Sequence, residues 1–375
     1  MNRGTRRRLL IALAVVVVAG LVAGTDGWIV RHFGAHAASD QGPDNYLNAI
    51  ACPDASTCWA VGQRASTRGG NVASEERHQL IEQETGGRWH QVRPPRAPVA
   101  DPGLTSITCP AARDCWAAGG SSTHGSAIIE HWAGRDWELV SSPRIHGAQL
   151  ESVACAAPDL CWAAGGMQNR RNVTRNILEE WNGATWRSIT AVPGGLQPVL
   201  FSCPVSGHCL LVGLRAGRAA AARYDRGRWS TAAPPSGLSP GRVPAQLACS
   251  AVSACLALTP VPGGARRGAM RTQVWNGRSW TTATAAAAAT PPYPAGLACA
   301  GRAGCWLLGA SGSLAPVAAR WQDGRWVSAA ASSGPATGYL GDLACAARCW
   351  AVGGQSVRLG DGSFYSHPLI SPVMP

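Results

Sequence analysis

The sequence predicts an all-β chain, a seven-bladed β-propeller, and three observations carry that reading. A unit of about sixteen residues recurs seven times. Residues 47–62 read LNAIACPDASTCWAVG, residues 104–119 LTSITCPAARDCWAAG and residues 150–165 LESVACAAPDLCWAAG. The successive first cysteines lie 57, 46, 48, 46, 50 and 46 residues apart, a period that means a repeat architecture. Each period also holds four short apolar segments separated by turn signals, the signature of a propeller blade.

Within one copy the elements follow in order. An alternating run such as Leu150, Val153, Cys155 reads as a first strand. A turn of five residues leads to a second strand, Cys161-Trp162-Ala163-Ala164, ended by Gly165. A variable polar loop precedes a third strand near 177–181. A tight glycine turn, Asn182-Gly183-Ala184-Thr185, then opens a fourth strand at Trp186. A Pro/Gly-rich link starts the next copy. The repeats begin near residues 47, 104, 150, 198, 245, 296 and 340. No stretch beyond residue 40 shows capped helical periodicity. The alanine run 283–289 is followed by Pro291, Pro292 and Pro294 and reads as a linker.

The glycine turn recurs before Trp89, Trp137, Trp186, Trp229, Trp280 and Trp326, six times against seven cysteine pairs. The last copy lacks it. An open blade exposes a strand edge, so residues 355–375 and the segment before residue 47 are expected to share the closing blade. Tryptophans follow the repeat, next to a cysteine, at the end of the third strand as at Trp181, or at the start of the fourth strand, which points to packing between blades. Trp28 alone lies outside the pattern.

All fourteen cysteines fall into seven local pairs: Cys52/Cys58, Cys109/Cys115, Cys155/Cys161, Cys203/Cys209, Cys249/Cys255, Cys299/Cys305 and Cys345/Cys349. Metal knuckles use closer spacing with a second pair or histidine nearby. The pairs therefore read as disulfides, which persist outside the cytoplasm. They would staple the first hairpin of every blade. His78, His124, His146 and His208 are scattered over four repeats and form no metal set.

Residues 1–37 form a separate segment. Arg3, Arg6, Arg7 and Arg8 precede an uncharged apolar run over 9–24, which reads as an export signal or signal anchor with membrane contact. Residues 5–10 loosely match a twin-arginine signal. Ala35-His36-Ala37 is a candidate cleavage site. Residues 40–375 are the expected propeller, extracellular or at the cell surface.

The net charge is +12, and all 33 basic residues are arginine. In a four-stranded blade the loops between strands two and three share one face with the links between blades. Those loops hold Arg64, Arg68, Arg77, Arg170, Arg171, Arg175, Arg215, Arg218, Arg266, Arg267, Arg271 and Arg358, against Glu75, Glu76 and Asp361. Arg93, Arg96, Arg144, His146 and Arg242 from the links extend the same face. Clustered guanidinium groups suit carboxylate, sulfate or phosphate. The expected function is a non-catalytic recognition module. Its partner would be an anionic polysaccharide or cell-envelope polymer, or a protein. No cofactor, metal or specific nucleic-acid partner is indicated.

The G-x-x-W turn resembles the Asp-box (bacterial neuraminidase) repeat of sialidase-like propellers. The chain from about residue 45 onward looks like the secreted, cysteine-paired propeller proteins of high-GC bacteria. The Asp box reads Ser-x-Asp-x-Gly-x-x-Trp, and here its Ser and Asp are mostly gone, with Asn182-Gly183 and Asn276-Gly277 in their place. The resemblance thus implies fold before activity. Its alternative implication is a divergent sialidase-like or other carbohydrate-active enzyme. Such chemistry uses an arginine triad, a tyrosine nucleophile with a glutamate partner and an acid/base aspartate. Tyr46, Tyr224, Tyr293, Tyr339 and Tyr365 fit no such motif, Tyr365 near Arg358 and Asp361 coming nearest. Glu75, Glu76, Asp101 and Asp361 are the candidate acids on the loop face. Glu130, Glu179 and Glu180 on third strands are expected to face solvent or pair with arginine.

Overall fold

A computed structural model describes residues 45–67, 75–121, 126–143, 148–168, 174–189, 195–205, 207–261, 269–283, 291, 293–300, 304–311, 315–329, 338–346, 348–358 and 364–373. The described residues form seven antiparallel sheets, six of four strands and one of three. The blades span residues 46–92, 102–139, 148–188, 197–232, 246–282, 293–329 and 338–373, numbered 1 to 7 in that order. Each first strand touches the first strand of the next blade, and Gly338–Cys345 of blade 7 touches Tyr46–Ala51 of blade 1, so the ring is closed. This is the predicted seven-bladed propeller.

Seven disulfides form, each across the first hairpin of its blade: Cys52–Cys58, Cys109–Cys115, Cys155–Cys161, Cys203–Cys209, Cys249–Cys255, Cys299–Cys305 and Cys345–Cys349. They fit an oxidising compartment. They staple the first hairpins as expected, and cysteine side chains also fill the core between blades. Cys115 is 0% exposed and packs with Ala49, Trp59 and Ile81 of blade 1. Cys305 is 8% exposed and packs with Ala248, Leu256 and Leu258 of blade 5. The cause is alternation: the second cysteine opens a strand with both faces covered, so its side chain must enter one seam or the other. Removing one cross-link of such short separation should cost about 2 kcal/mol by the chain-entropy account. A Cys203→Ala, Cys209→Ala double variant is expected to show at least that loss as a lowered urea midpoint.

Blades pack through a recurring aromatic contact. The residue after the second cysteine enters the next blade and meets the two aromatics flanking its glycine turn. Trp59 meets Trp132 and Trp137 at 4.7 and 5.3 Å; Trp116 meets Trp181 and Trp186 at 4.8 and 5.4 Å. Trp162 meets Tyr224 and Trp229 at 4.8 and 5.2 Å. Leu210 and Leu256 fill that role for blades 5 and 6, against Trp275/Trp280 and Trp321/Trp326. Trp350 of blade 7 meets Trp89 of blade 1 at 5.7 Å, carrying the pattern across the closure. Edge-on and tilted pairs of this kind add about 0.5–1.5 kcal/mol each beyond area burial.

The glycine that ends each second strand has a structural cause. In six blades the first strand carries a bulge opposite it: Leu150 pairs with Gly165 and Ser152 with Ala164, leaving Glu151 as the extra residue. A bulge pushes backbone toward the partner strand. A Cβ on Gly165 would lie 2.0 Å from the Gln149 carbonyl oxygen, and Gly62, Gly119, Gly213, Gly309 and Gly353 meet equivalent oxygens at 1.9–2.4 Å. Blade 5 has Thr259 at that position, and its first strand pairs without a break from Gln246 to Cys249.

Blade 1 is complete within the described residues, and the blade short of a strand is blade 7, whose sheet comprises Gly338–Cys345, Cys349–Arg358 and Phe364–Val373. Ring closure is held by Ile50 N–H donating to Asp342 Oδ2 at 3.2 Å and by Asn45 N–H donating to the Ser366 carbonyl at 2.9 Å.

Candidate functional site

The antiparallel order places the cysteine and glycine turns on one face, and the loops between second and third strands, with the inter-blade links, on the other. Several arginines assigned to loops lie instead on strand ends. Arg64, Arg215, Arg218 and Arg271 belong to Thr57–Thr67, His208–Arg215, Arg218–Asp225 and Met270–Trp275. The hairpins run further toward the face than the apolar pattern implies, because strand pairing continues into polar residues.

Four of the described loop-face arginines, Arg215, Arg218, Arg242 and Arg271, lie at the seam between blades 4 and 5. Arg215 and Arg218 flank a two-residue turn whose Ala216 and Gly217 both have positive φ, 48° and 71°. That geometry follows strand twist in a tight hairpin. The link from blade 4 to blade 5 folds onto this turn, with Gly241 N–H donating to the Gly217 carbonyl at 2.6 Å. The link is also held from below. Gln273, fully buried, accepts from Ser236 N and Oγ at 2.9 and 3.1 Å and donates to the Ser236 carbonyl at 2.7 Å. Arg271 lies against the link, since a Cβ on Gly237 would meet its Nη1 at 2.6 Å. A cavity of about 340 Å³ opens here, lined by Leu238, Ser239, Arg242 and Pro260. Arg218 and Arg242, the latter at the cavity, are exposed, whereas Arg215 and Arg271 are half-buried.

The electrostatics of this seam are one-sided. From residue 181 to residue 322 the sole acidic residue is Asp225, against thirteen arginines. Asp225 lies near the opposite face, at the glycine turn, paired with His208 at 3.3 Å. The acid-poor run is legible in the sequence and is the signal that singles out blades 4 to 6.

The other candidates are less concentrated. Arg64 is exposed on blade 1, which adjoins blades 2 and 7 and not this seam. Arg68, Arg170, Arg171, Arg266 and Arg267 lie outside the described residues, as do the side chains of Arg175 and Arg358. Residues 1–44, with the signal, anchor and cleavage readings, lie outside them too. The cysteines carry no chemistry of their own: every one is disulfide-bonded, and Cys115 and Cys305 are sealed in the interior besides.

The reading of third-strand glutamates is overturned for two of three. Glu130 and Glu179 are both 0% exposed, enclosed between blades. A third strand here is packed on both sides, so alternation does not leave one side wet. Burial pushes the Glu130 carboxyl up to about 8, opposed in part by the Gln79 amide donating to it at 2.8 Å. Burial likewise pushes Glu179 up to about 7. Glu180 does pair with arginine, bonding Arg187 and accepting from Trp162 Nε1 at 3.2 Å. Asp101 accepts from the Arg77 backbone N–H at 3.2 Å and thereby fastens the seam of blades 1 and 2. Tyr224 is part of the aromatic packing of blades 3 and 4. Among the described residues the seam cavity is lined by no carboxylate, and no group of His, Cys, Asp and Glu is set to hold a metal ion.

No family model matches the chain, and no curated protein sequence matches it. Solved structures do. The structure of YCF48 bound to D1 peptide is similar with a TM-score of 0.53 and 13% identity, covering 90% of this chain and 96% of that one. YCF48 from Cyanidioschyzon merolae gives 0.50 and 13%, covering 85% and 95%. The acylaminoacyl peptidase of Pyrococcus horikoshii gives 0.53 and 8%, covering 87% of this chain and 50% of that one. At these identities the likeness is one of fold: the chain shares the architecture of these proteins, over nearly its whole described length.

Proposed function

We propose that the chain is an exported, non-catalytic recognition module that binds an anionic polymer at the seam of blades 4 and 5. The observation that carries this is a cavity lined by Arg242, in a link that folds onto the Arg215–Arg218 turn and lies against Arg271, within an acid-poor stretch. Guanidinium groups on a rigid hairpin and a pinned link are pre-organised for carboxylate, sulfate or phosphate. The seven disulfides support an extracellular or cell-surface setting. A protein partner presenting an acidic segment is the second reading, favoured by the peptide carried in one structure of similar fold.

An array of acidic and neutral polysaccharides and acidic peptides, probed at low and high salt, tests this. Binding to acidic polymers should weaken with salt. The Arg218→Ala, Arg242→Ala double variant should weaken it by about tenfold or more, while Arg64→Ala leaves it near wild type. Capture of peptides in preference to polysaccharides moves the assignment to the second reading. Equal binding by wild type and double variant overturns both.

A further inference from the structure

On the cysteine-turn face, two residues at blades 4 and 5 break rules that the other blades keep. The middle residue of the C-x5-C turn is Ala55, Ala112, Pro158, Ser206 or Arg302 in five blades, and Val252 in blade 5. Val252 is 50% exposed, the most exposed large hydrophobic side chain among the described residues. The second departure is Arg226, in the glycine turn of blade 4, with φ at 41°. Its counterparts in turns of the same length are Gly86 and Asp323. Glycine adopts this left-handed conformation freely and aspartate can bond locally to support it, whereas arginine does neither. Backbone outliers of this kind persist where the side chain serves a function.

The two departures flank one groove. Between the turns of blades 4 and 5, Pro204, His208, Arg223, Asp225, Val252 and Trp275 line a hollow of about 40 Å³. That is room for a few waters or the end of one aliphatic side chain. Trp275 Nε1 donates to the Val252 carbonyl at 3.2 Å and fixes the apex that carries the valine. Arg226 N–H donates to the Gly207 carbonyl at 2.9 Å, so the glycine turn of blade 4 rests on its cysteine turn. The glycine turn of blade 5 rests likewise on Ser253, since a Cβ on Gly277 would meet the Ser253 Cβ at 3.0 Å. Arg223, Arg226 and Arg228 on blade 4 and Arg278 on blade 5 are all exposed around the hollow. The one carboxylate among them, Asp225, lies 3.3 Å from His208.

We propose that this groove is a second docking surface, for an acidic peptide segment of a partner protein that seats one aliphatic side chain on Val252. Charge complementarity selects the carboxylates: four guanidinium groups face one carboxylate already held by histidine. The valine selects a peptide over a sugar polymer, because a polymer of sugar acids has no aliphatic side chain to cover it. An exposed valine by itself is ordinary. Its place in a hollow, beside a strained arginine and among three more, is what gives it a partner. The groove lies on the face opposite the Arg242 cavity, so a protein held here leaves the loop face open. The proposal stands independently of what that face binds.

Methyl NMR of the folded protein tests this at Val252. The probe is a synthetic peptide of Asp and Glu with one central leucine, titrated at low salt. It should shift the Val252 methyls and leave those of Leu238, at the cavity on the other face, in place. Replacing the central leucine by serine should weaken binding about fivefold or more. The Arg226→Gly, Arg228→Ala double variant should weaken it about tenfold or more. Arg226→Gly alone should raise the urea midpoint while weakening the peptide, because glycine relieves the backbone and removes the contact; a merely structural arginine would not part the two readouts. Unmoved Val252 methyls overturn the proposal, as do shifts at Leu238 in their place. Equal binding by wild type and the double variant, or by the leucine and serine peptides, overturns it too.

Discussion

Gly165→Ala is expected to destabilise the propeller by about 3 kcal/mol or more, the upper range for overpacking, because the clash involves backbone alone. The added Cβ meets the Gln149 oxygen at 2.0 Å, the Leu150 Cα at 2.8 Å and the Gln149 carbonyl carbon at 2.9 Å. No side chain can rotate away to relieve it. Relief requires removing the bulge at Glu151, which would shift the pairing of the first strand by one residue and reverse its faces. Leu150 and Val153, both in the core with blade 2, would then lose their places. Gly341→Ala is the control. It lies at the bulge of blade 7, and a Cβ there finds its nearest atoms at 3.9 Å, so its cost should stay within about 0.5 kcal/mol. Urea unfolding of both variants decides the matter. A Gly165→Ala midpoint equal to that of Gly341→Ala would show that the bulge yields freely.

The period, the cysteine turns and the glycine turns were legible because each is a local device. A turn that needs positive φ shows itself as glycine, as at Gly183, where φ is 87°. Gly165 was legible as a strand end but not as a contact, since the oxygen that excludes a Cβ comes from the neighbouring strand. Cysteine pairing was legible for the same reason as the turns, whereas the burial of Cys115 and Cys305 depends on the blade before each and was not. The buried glutamates failed for a related reason. Alternation on a strand is informative when one face is wet, and a propeller blade packs both faces against its neighbours. Glu130 therefore looks like a surface residue from its flanks and sits in the interior. The arginine seam was half legible. The sequence places Arg215, Arg218, Arg271 and Arg242 on the loop face, but that Arg242 lies beside the other three depends on a link held by Gln273, further downstream in the next blade.

Stability should fall as pH rises from about 4.5 to about 8, and Glu130→Gln should remove most of that dependence. Glu130 has its carboxyl raised from 4.5 to about 8 by burial. Below 4.5 the group is protonated in both folded and unfolded chains and contributes no pH dependence. Above 4.5 the unfolded chain releases the proton while the folded chain retains it, so each pH unit costs about 1.4 kcal/mol until the folded carboxyl ionises near 8. Glu179 acts in the same direction up to about 7. The repeat itself supplies the precedent for the substitution. Glu130 stands opposite Ala117 and Glu179 opposite Ala163, and Gln273 holds the equivalent place opposite Ala257, with its amide fully bonded. Where the third strand has Ala222 or Ala319 instead, the second strand supplies Leu211 or Leu307 to fill the space. Glutamine keeps the volume and can still accept from Gln79. Glu130→Gln is therefore expected to match wild type within about 1 kcal/mol at pH 5 and to exceed it by about 2–4 kcal/mol at pH 8. Denaturant unfolding at the two pH values measures both. A variant no more stable than wild type at pH 8 would mean that water or a backbone donor reaches the Glu130 carboxylate and carries its charge.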